Sequence, residues 1–408
     1  MMPTVSLQRR LSLTQMVLYG LGTTIGAGIY ALVGELAAIS GYMAPAAFLM
    51  ASLMAGLTAL SFAELSSRYP RAAGASLYVK QGFGSDTLAL FVGLLVFLAG
   101  VISSAALINA FTGYLAQFFE LHRFITILII ALTIGLLAAW GIAESVFIAS
   151  LITLIEIGGL LLIIFNSQSV FADLPSQWHK LMPGTDSANW WAIYAGALLG
   201  FYAFIGFEDM VDVAEEIHNV RRNLPLAIII TLSVTTLLYM LIMLAAVLAM
   251  PPQQLAKENA PLIALYRHFS GEHGFLLNII AMFAIINGVL IQTIMASRVL
   301  YGLSCRGHLH VSLSQVHYFT RTPLIATALA ISCVFVFALL GDLSTLAETT
   351  SLLMLCIFSL VNLALWRIKR RNPRPPGIIV LPACLPVLGF FVSAAFALSQ
   401  LLSLFNDV

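Results

Sequence analysis

Long apolar runs separated by short polar loops restrict this chain more than any other feature. A helix rises about 1.5 Å per residue, so about 20 apolar residues cross the hydrocarbon core of a bilayer. About eleven such runs can be delimited: roughly 13–34, 43–65, 87–117, 124–141, 146–166, 189–217, 225–250, 275–302, 323–341, 345–367 and 379–405. Lipid offers no hydrogen-bond partners, so runs of this length span as helices that satisfy their own backbone. Composition agrees: 60% of the 408 residues are hydrophobic and 9% are charged, against about 25% charged in soluble domains. The expected fold class is an all-α polytopic membrane protein, one membrane domain over 1–408, with the lipid bilayer as its first partner. The net charge of +1 offers nothing to nucleic acid. The first run follows Arg9 and Arg10, lacks a small-residue cleavage pattern and leads into another span, so no removable signal peptide is expected.

Basic residues orient the spans. With the N-terminus inside, only Arg123, Lys180, Lys257 and Arg267 of the 19 Lys and Arg residues fall on outer segments. Arg9, Arg10, Arg68, Arg71, Arg321 and the cluster after residue 366 all fall inside. A cytoplasmic N-terminus in the cell inner membrane follows, and an odd helix count puts the C-terminus outside. The helices group as five in 13–166, five in 189–367 and an eleventh at 379–405. Two five-helix groups in sequence are inverted relative to each other, as in many secondary transporters.

The stretch "GLGTTIGAGIY" raises a problem: glycine costs a helix about 1 kcal/mol relative to alanine, yet Gly20, Gly22, Gly26 and Gly28 crowd the first span. Its counterpart in the second group reads "GALLGFYAFIGFEDMVDVAEEIHNV", with Gly206 inside the span and Glu208 and Asp209 after it. Paired Gly-interrupted helices mark transporter sites. At such a break one half-helix offers free N–H groups to a carboxylate and the other offers free carbonyls to an ammonium or cation. A zwitterionic amino acid fits both. The alternative is close helix packing, since Gly22 and Gly26 form a GxxxG pattern.

Four segments carry a family resemblance: "GLGTTIGAGIY", "FAELSSRYPRAAGASLYVKQGFG", "FYAFIGFEDMVDVAEEIHNVRRNLPLAI", and "ASRVLYGLSCRGHL" followed by "RTPLIATAL". The chain resembles the amino acid permeases of the amino acid–polyamine–organocation superfamily. The resemblance implies two inverted five-helix repeats in the fold of sodium-coupled leucine transport, plus one extra helix. It implies that a substrate carboxylate meets the N–H groups of Gly26, Ala27 and Gly28. It implies that the amino group meets carbonyls of Thr23, Thr24 and Ile25 and of Ala203 to Ile205. It places an aromatic gate at Tyr202 and Phe204. Many relatives continue to a twelfth helix, whereas eleven are read here. Some proton-coupled relatives carry a lysine in mid-helix 5, where "ITLIEIGGLLLII" places Glu156.

Glu156 stands about ten residues into the fifth run, at mid-depth, where a charge costs at least about 2.5–3.5 kcal/mol. It is the first candidate for coupling transport to a proton or sodium ion, and Glu208 the second. Asp209, Asp212, Glu215 and Glu216 read as solvated or paired with Arg221 and Arg222. Glu64, Arg68 and Arg71 read as an inner charge network. Ser103, Ser104, Asn109, Asn287, Gln292 and Thr293 read first as interhelical bonds. No HExxH motif, nucleophile–base pair or cysteine–histidine spacing points to an enzyme or a metal, and no cofactor is implied. Cys305, Cys333, Cys356 and Cys384 are expected as free thiols. The sequence thus points to a secondary transporter of amino acids by alternating access, with proton coupling first. Sodium symport, exchange and polyamine or small-amine substrates are the alternatives, and a channel or membrane-embedded enzyme is more remote.

Overall fold

Several helices in this chain begin where a polar side chain precedes an apolar run. Ser12 opens α1 (Leu13–Ser40) through a reciprocal capping box with Gln15. Ser85 accepts from Leu88 N at the start of α4 (Asp86–Leu115), and Asp342 from Thr345 N at the start of α12 (Leu343–Arg371). The other principal helices are α2 (Ala44–Arg68), α3 (Gly74–Phe83), α5 (Arg123–Trp140), α6 (Ser145–Asn166), α7 (Ser187–Phe201), α8 (Val220–Ala249), α9 (Pro261–Ser270), α10 (Phe275–Cys305), α11 (Leu324–Leu340) and α13 (Cys384–Asn406). The structure is a computed structural model and describes residues 11–70, 74–116, 118–119, 121–140, 145–258, 260–271, 274–318, 320, 322–378 and 380–406. Arg9, Arg10, Arg71 and Arg321 lie outside the described residues.

Among the described residues, seven stretches are long and apolar enough to cross a membrane, and three shorter apolar helices accompany them. The chain is therefore a polytopic, almost wholly helical membrane protein. Each of the eleven apolar runs read from the sequence overlaps one of the helices above. The sequence reading lacked α3, α9 and the short turns between residues 168 and 181, which are too short to produce a hydropathy peak.

At the centre, α1 packs against α6, α7 and α8; α4 packs against α10 and α12; and α2 lies between α7 and α8. The interfaces are built from small residues and satisfied polar side chains, as expected where lipid supplies no hydrophobic drive. Asn362 of α12 accepts from Ser61 Oγ at 2.6 Å and donates to Thr58 Oγ1 at 2.8 Å. Asn109 of α4 donates to the Ala338 and Gly341 carbonyls at the end of α11. Leu136, Phe165 and Phe391 are exposed and face outward, as lipid-facing side chains do.

Two expectations divide here. The predicted interruption of the first helix is absent: α1 is continuous from Leu13 to Ser40. The interruption in the sixth run is present, and it fixes the functional centre.

A candidate substrate site at the break of α7

The α7 helix stops at Phe201, makes one 3-10 turn over Tyr202–Phe204, and opens at Ile205 (φ −67°, ψ 140°). Gly206 then takes φ +123°, a conformation that side chains resist. A tight 3-10 stretch, Phe207–Glu216, carries the chain onward. Space demands glycine here as much as conformation does, because a Cβ on Gly206 would lie 2.5 Å from the Thr23 carbonyl oxygen.

The glycines of α1 answer to the same contact. A Cβ on Gly28 would sit 2.5 Å from Ala203 Cα, and one on Gly20 would sit 2.5 Å from Met210 Sδ. A Cβ on Gly22 would strike Thr153 Oγ1 of α6. These glycines therefore let α1 press against the opened backbone of α7 and against α6. Gly26 and Ala27 lie in the helical run of α1.

Hydrogen bonds tie this seam. Thr23 Oγ1 lies 3.0 Å from the Gly206 carbonyl and 2.9 Å from the Gly20 carbonyl. The Tyr239 hydroxyl of α8 lies 2.8 Å from the Thr24 carbonyl and 3.1 Å from the Ala203 carbonyl. Two carbonyls expected to face an ammonium are thus engaged by a phenol, and the Thr24 carbonyl is in addition part of the continuous α1 helix. Tyr202 is buried, with its hydroxyl 3.1 Å from Ser103 Oγ and from the Ser103 carbonyl on α4.

A small cavity of about 20 Å³ touches the seam, lined by Thr23, Thr24, Gly28, Tyr202 and Ile205 together with Ser103 and Gln292. A second cavity of about 440 Å³ shares Ser103, Ile205 and Gln292 with it. Its volume lies within the range of small-molecule sites. Glu208, Asp209 and Asp212 line it from the 3-10 stretch, while Arg298 and Arg306 of the α10 end are exposed at its mouth. Ile25, Ala203 and Phe204 are buried and line neither cavity. Phe204 packs instead against Phe48 and Tyr239, with ring centroids 6.2 and 5.3 Å apart.

The carboxylates divide into three groups. Glu208 Oε2 accepts from Gly206 N at 2.9 Å and so caps the reopened chain. Asp209, expected to be solvated or paired with arginine, is instead buried and accepts from Gln292 Nε2 at 3.3 Å. The side chains of Glu215 and Glu216 are not among those described. Glu156 of α6 is completely buried, and among the described residues neither carboxyl oxygen has a hydrogen-bond partner. The Asn287 side chain of α10 stands close enough to interact with it, yet its Nδ2 completes no hydrogen bond. The Tyr30 hydroxyl donates to the Glu156 carbonyl at 3.1 Å, so α1, α6 and α10 converge behind the seam.

Tyr239 was missed in the sequence, and the Gln292–Asp209 pairing could not be read from it. The signal that existed was a polar side chain inside a hydropathy peak, but reading it required the turn geometry that aims it. The four cysteines are free, and among the described residues no cluster of His, Cys, Asp and Glu could hold a metal.

Comparison with known proteins agrees with this architecture. The family described as amino acid permease matches residues 11–405. The chain is 28% identical to cationic amino acid transporter 3, mitochondrial, of Arabidopsis thaliana, over 93% of this chain and 65% of that protein. It is 26% identical to the branched-chain amino acid permease BcaP of Bacillus subtilis, over 92% and 86%. It is 28% identical to cationic amino acid transporter 4 of Homo sapiens, over 91% and 61%. The chain thus spans less than two thirds of the length of these two cationic transporters. The match along nearly the whole chain shows its family: the chain belongs to the amino acid permease family of the amino acid–polyamine–organocation superfamily.

Proposed function

We propose that this protein is a secondary active transporter that moves amino acids across the cytoplasmic membrane by alternating access. The observation that carries the proposal is the break at Ile205–Gly206, held against α1 and adjoining a cavity of about 440 Å³. The framework is eleven spans, two inverted five-helix repeats and a cytoplasmic N-terminus, which puts the mouth at Arg298 and Arg306 on the inner side. Backbone groups of the break receive the substrate, with α1 as the wall behind it rather than the binding backbone, and Tyr202 closes over it.

Coupling is assigned to the proton, through Glu156. A carboxyl group with no partner in a fully buried place is stable there as the neutral acid or beside a cation. Alternating exposure to the two sides would load and unload it. The acidic wall of Glu208, Asp209 and Asp212 favours an amino acid with a cationic side chain over a branched aliphatic one.

Proteoliposomes loaded with separate proton and sodium gradients, and offered a panel of labelled amino acids, test this reading. Accumulation of cationic amino acids driven by the proton gradient is expected. Glu156→Gln should bind and exchange substrate but lose pH-driven accumulation. Passive flux without accumulation would point to a channel, and unchanged ion dependence in Glu156→Gln would make the carboxyl structural.

A further inference from the structure

The last turn of α12 and the loop after it carry five cations in eight residues: Arg367, Lys369, Arg370, Arg371 and Arg374. One of them is used internally. Lys369 Nζ lies 2.5 Å from Glu64 Oε2 and 2.6 Å from the Leu381 carbonyl, while Arg68 holds the other Glu64 oxygen at 2.7 Å. Leu381 N donates to Glu64 at 3.0 Å and Arg68 donates to the Asn372 carbonyl at 2.9 Å, so both ends of the loop are pinned to α2.

The four arginines are left with no carboxylate. Among the described residues the ion pairs are those of Glu64 and the Lys80–Asp86 pair at 2.5 Å. Arg367 lies over the Phe83 ring at 4.7 Å and Arg370 over the Trp366 ring at 5.1 Å. Stacking fixes a guanidinium plane and leaves its N–H edge free, the geometry that meets a phosphate with two parallel bonds. Arg370, Arg371 and Arg374 are exposed.

We infer that the basic end of α12 docks the phosphate of an anionic phospholipid headgroup. Its placement selects a lipid rather than a soluble phosphate. The patch terminates a 29-residue membrane-length helix, and the adjacent α13 exposes Leu388 and Phe391 where acyl chains lie. Neither of the two cavities described above includes any of the four arginines. Clustered basic residues at the end of a spanning helix attract anionic headgroups, each raising binding about fivefold. The pinned loop presents them in a fixed arrangement.

Native mass spectrometry of the intact protein, taken from membranes of mixed phosphatidylcholine and phosphatidylglycerol, tests the inference. The wild type should retain phosphatidylglycerol preferentially. The exposed triple variant Arg370→Gln/Arg371→Gln/Arg374→Gln should lose on the order of a hundredfold of that preference while keeping its thermal stability. Equal retention of the two lipids by the wild type would overturn it without any variant. So would an unchanged preference in the triple variant, or full displacement of the lipid by millimolar inorganic phosphate.

Discussion

Gly206 and Gly28 are where sequence choice is least free. At Gly206 two constraints coincide, φ +123° and the Thr23 oxygen 2.5 Å from any Cβ. Gly206→Ala is expected to destabilise by on the order of 1–3 kcal/mol and to abolish transport, read by thermal unfolding in detergent and by uptake. Gly158 of α6 is the contrasting position, with nothing within 4 Å of its Cβ direction. Gly158→Ala should be neutral or stabilising by up to about 1 kcal/mol, and a loss of stability there would mean that a neighbour closes on that face. Tyr202→Phe removes the hydroxyl held by Ser103 and should cost about 0.5–1.5 kcal/mol of stability. Tyr202→Ala should in addition weaken substrate binding, measured by ligand-induced thermal shift. The residue scale is also where the sequence misled. "GTTIGAGI" looked like an unwound segment because glycine is equally the residue of a break and of a close approach. Only the position of Ala203 and Thr153 tells which role each glycine plays.

The break in α7 was legible as an element because two signals agreed: glycine inside a span, then carboxylates too polar for lipid. What stayed illegible was the 3-10 path after Gly206. A regular α-helix would have aimed Asp209 and Asp212 elsewhere, and their place toward the cytoplasmic end assigned them to solvent or to Arg221 and Arg222. Glu156 was legible because depth follows from counting 1.5 Å per residue, but its lack of a partner depends on α1 and α10. The clamp joining α2, α12 and the loop before α13 makes its own prediction. Glu64 is buried between Arg68 and Lys369. Glu64→Gln leaves two desolvated cations unneutralised and should lower stability by about 3–5 kcal/mol, seen as a large drop in Tm. An unchanged Tm would mean that water reaches the site.

For the whole molecule, the membrane-spanning helices were readable because thickness and rise per residue set their length, whereas the cavities were not, being spaces between segments distant in the chain. The proposed orientation is checked with the exposed native thiols Cys305 and Cys384. A membrane-impermeant maleimide should miss both in intact cells and modify both in inverted vesicles, while Lys180→Cys behaves in the opposite way. The large cavity carries a further consequence. Its inner wall bears Glu208, Asp209 and Asp212, and its mouth bears Arg298 and Arg306, so the cavity is acidic within and basic at its opening. Under the proposed function, a zwitterion in that field would feel a torque and would leave toward the mouth with its carboxylate leading and its amino end trailing. Release would then be oriented by charges of the wall and mouth, and added salt should blur that orientation by shortening the reach of the field.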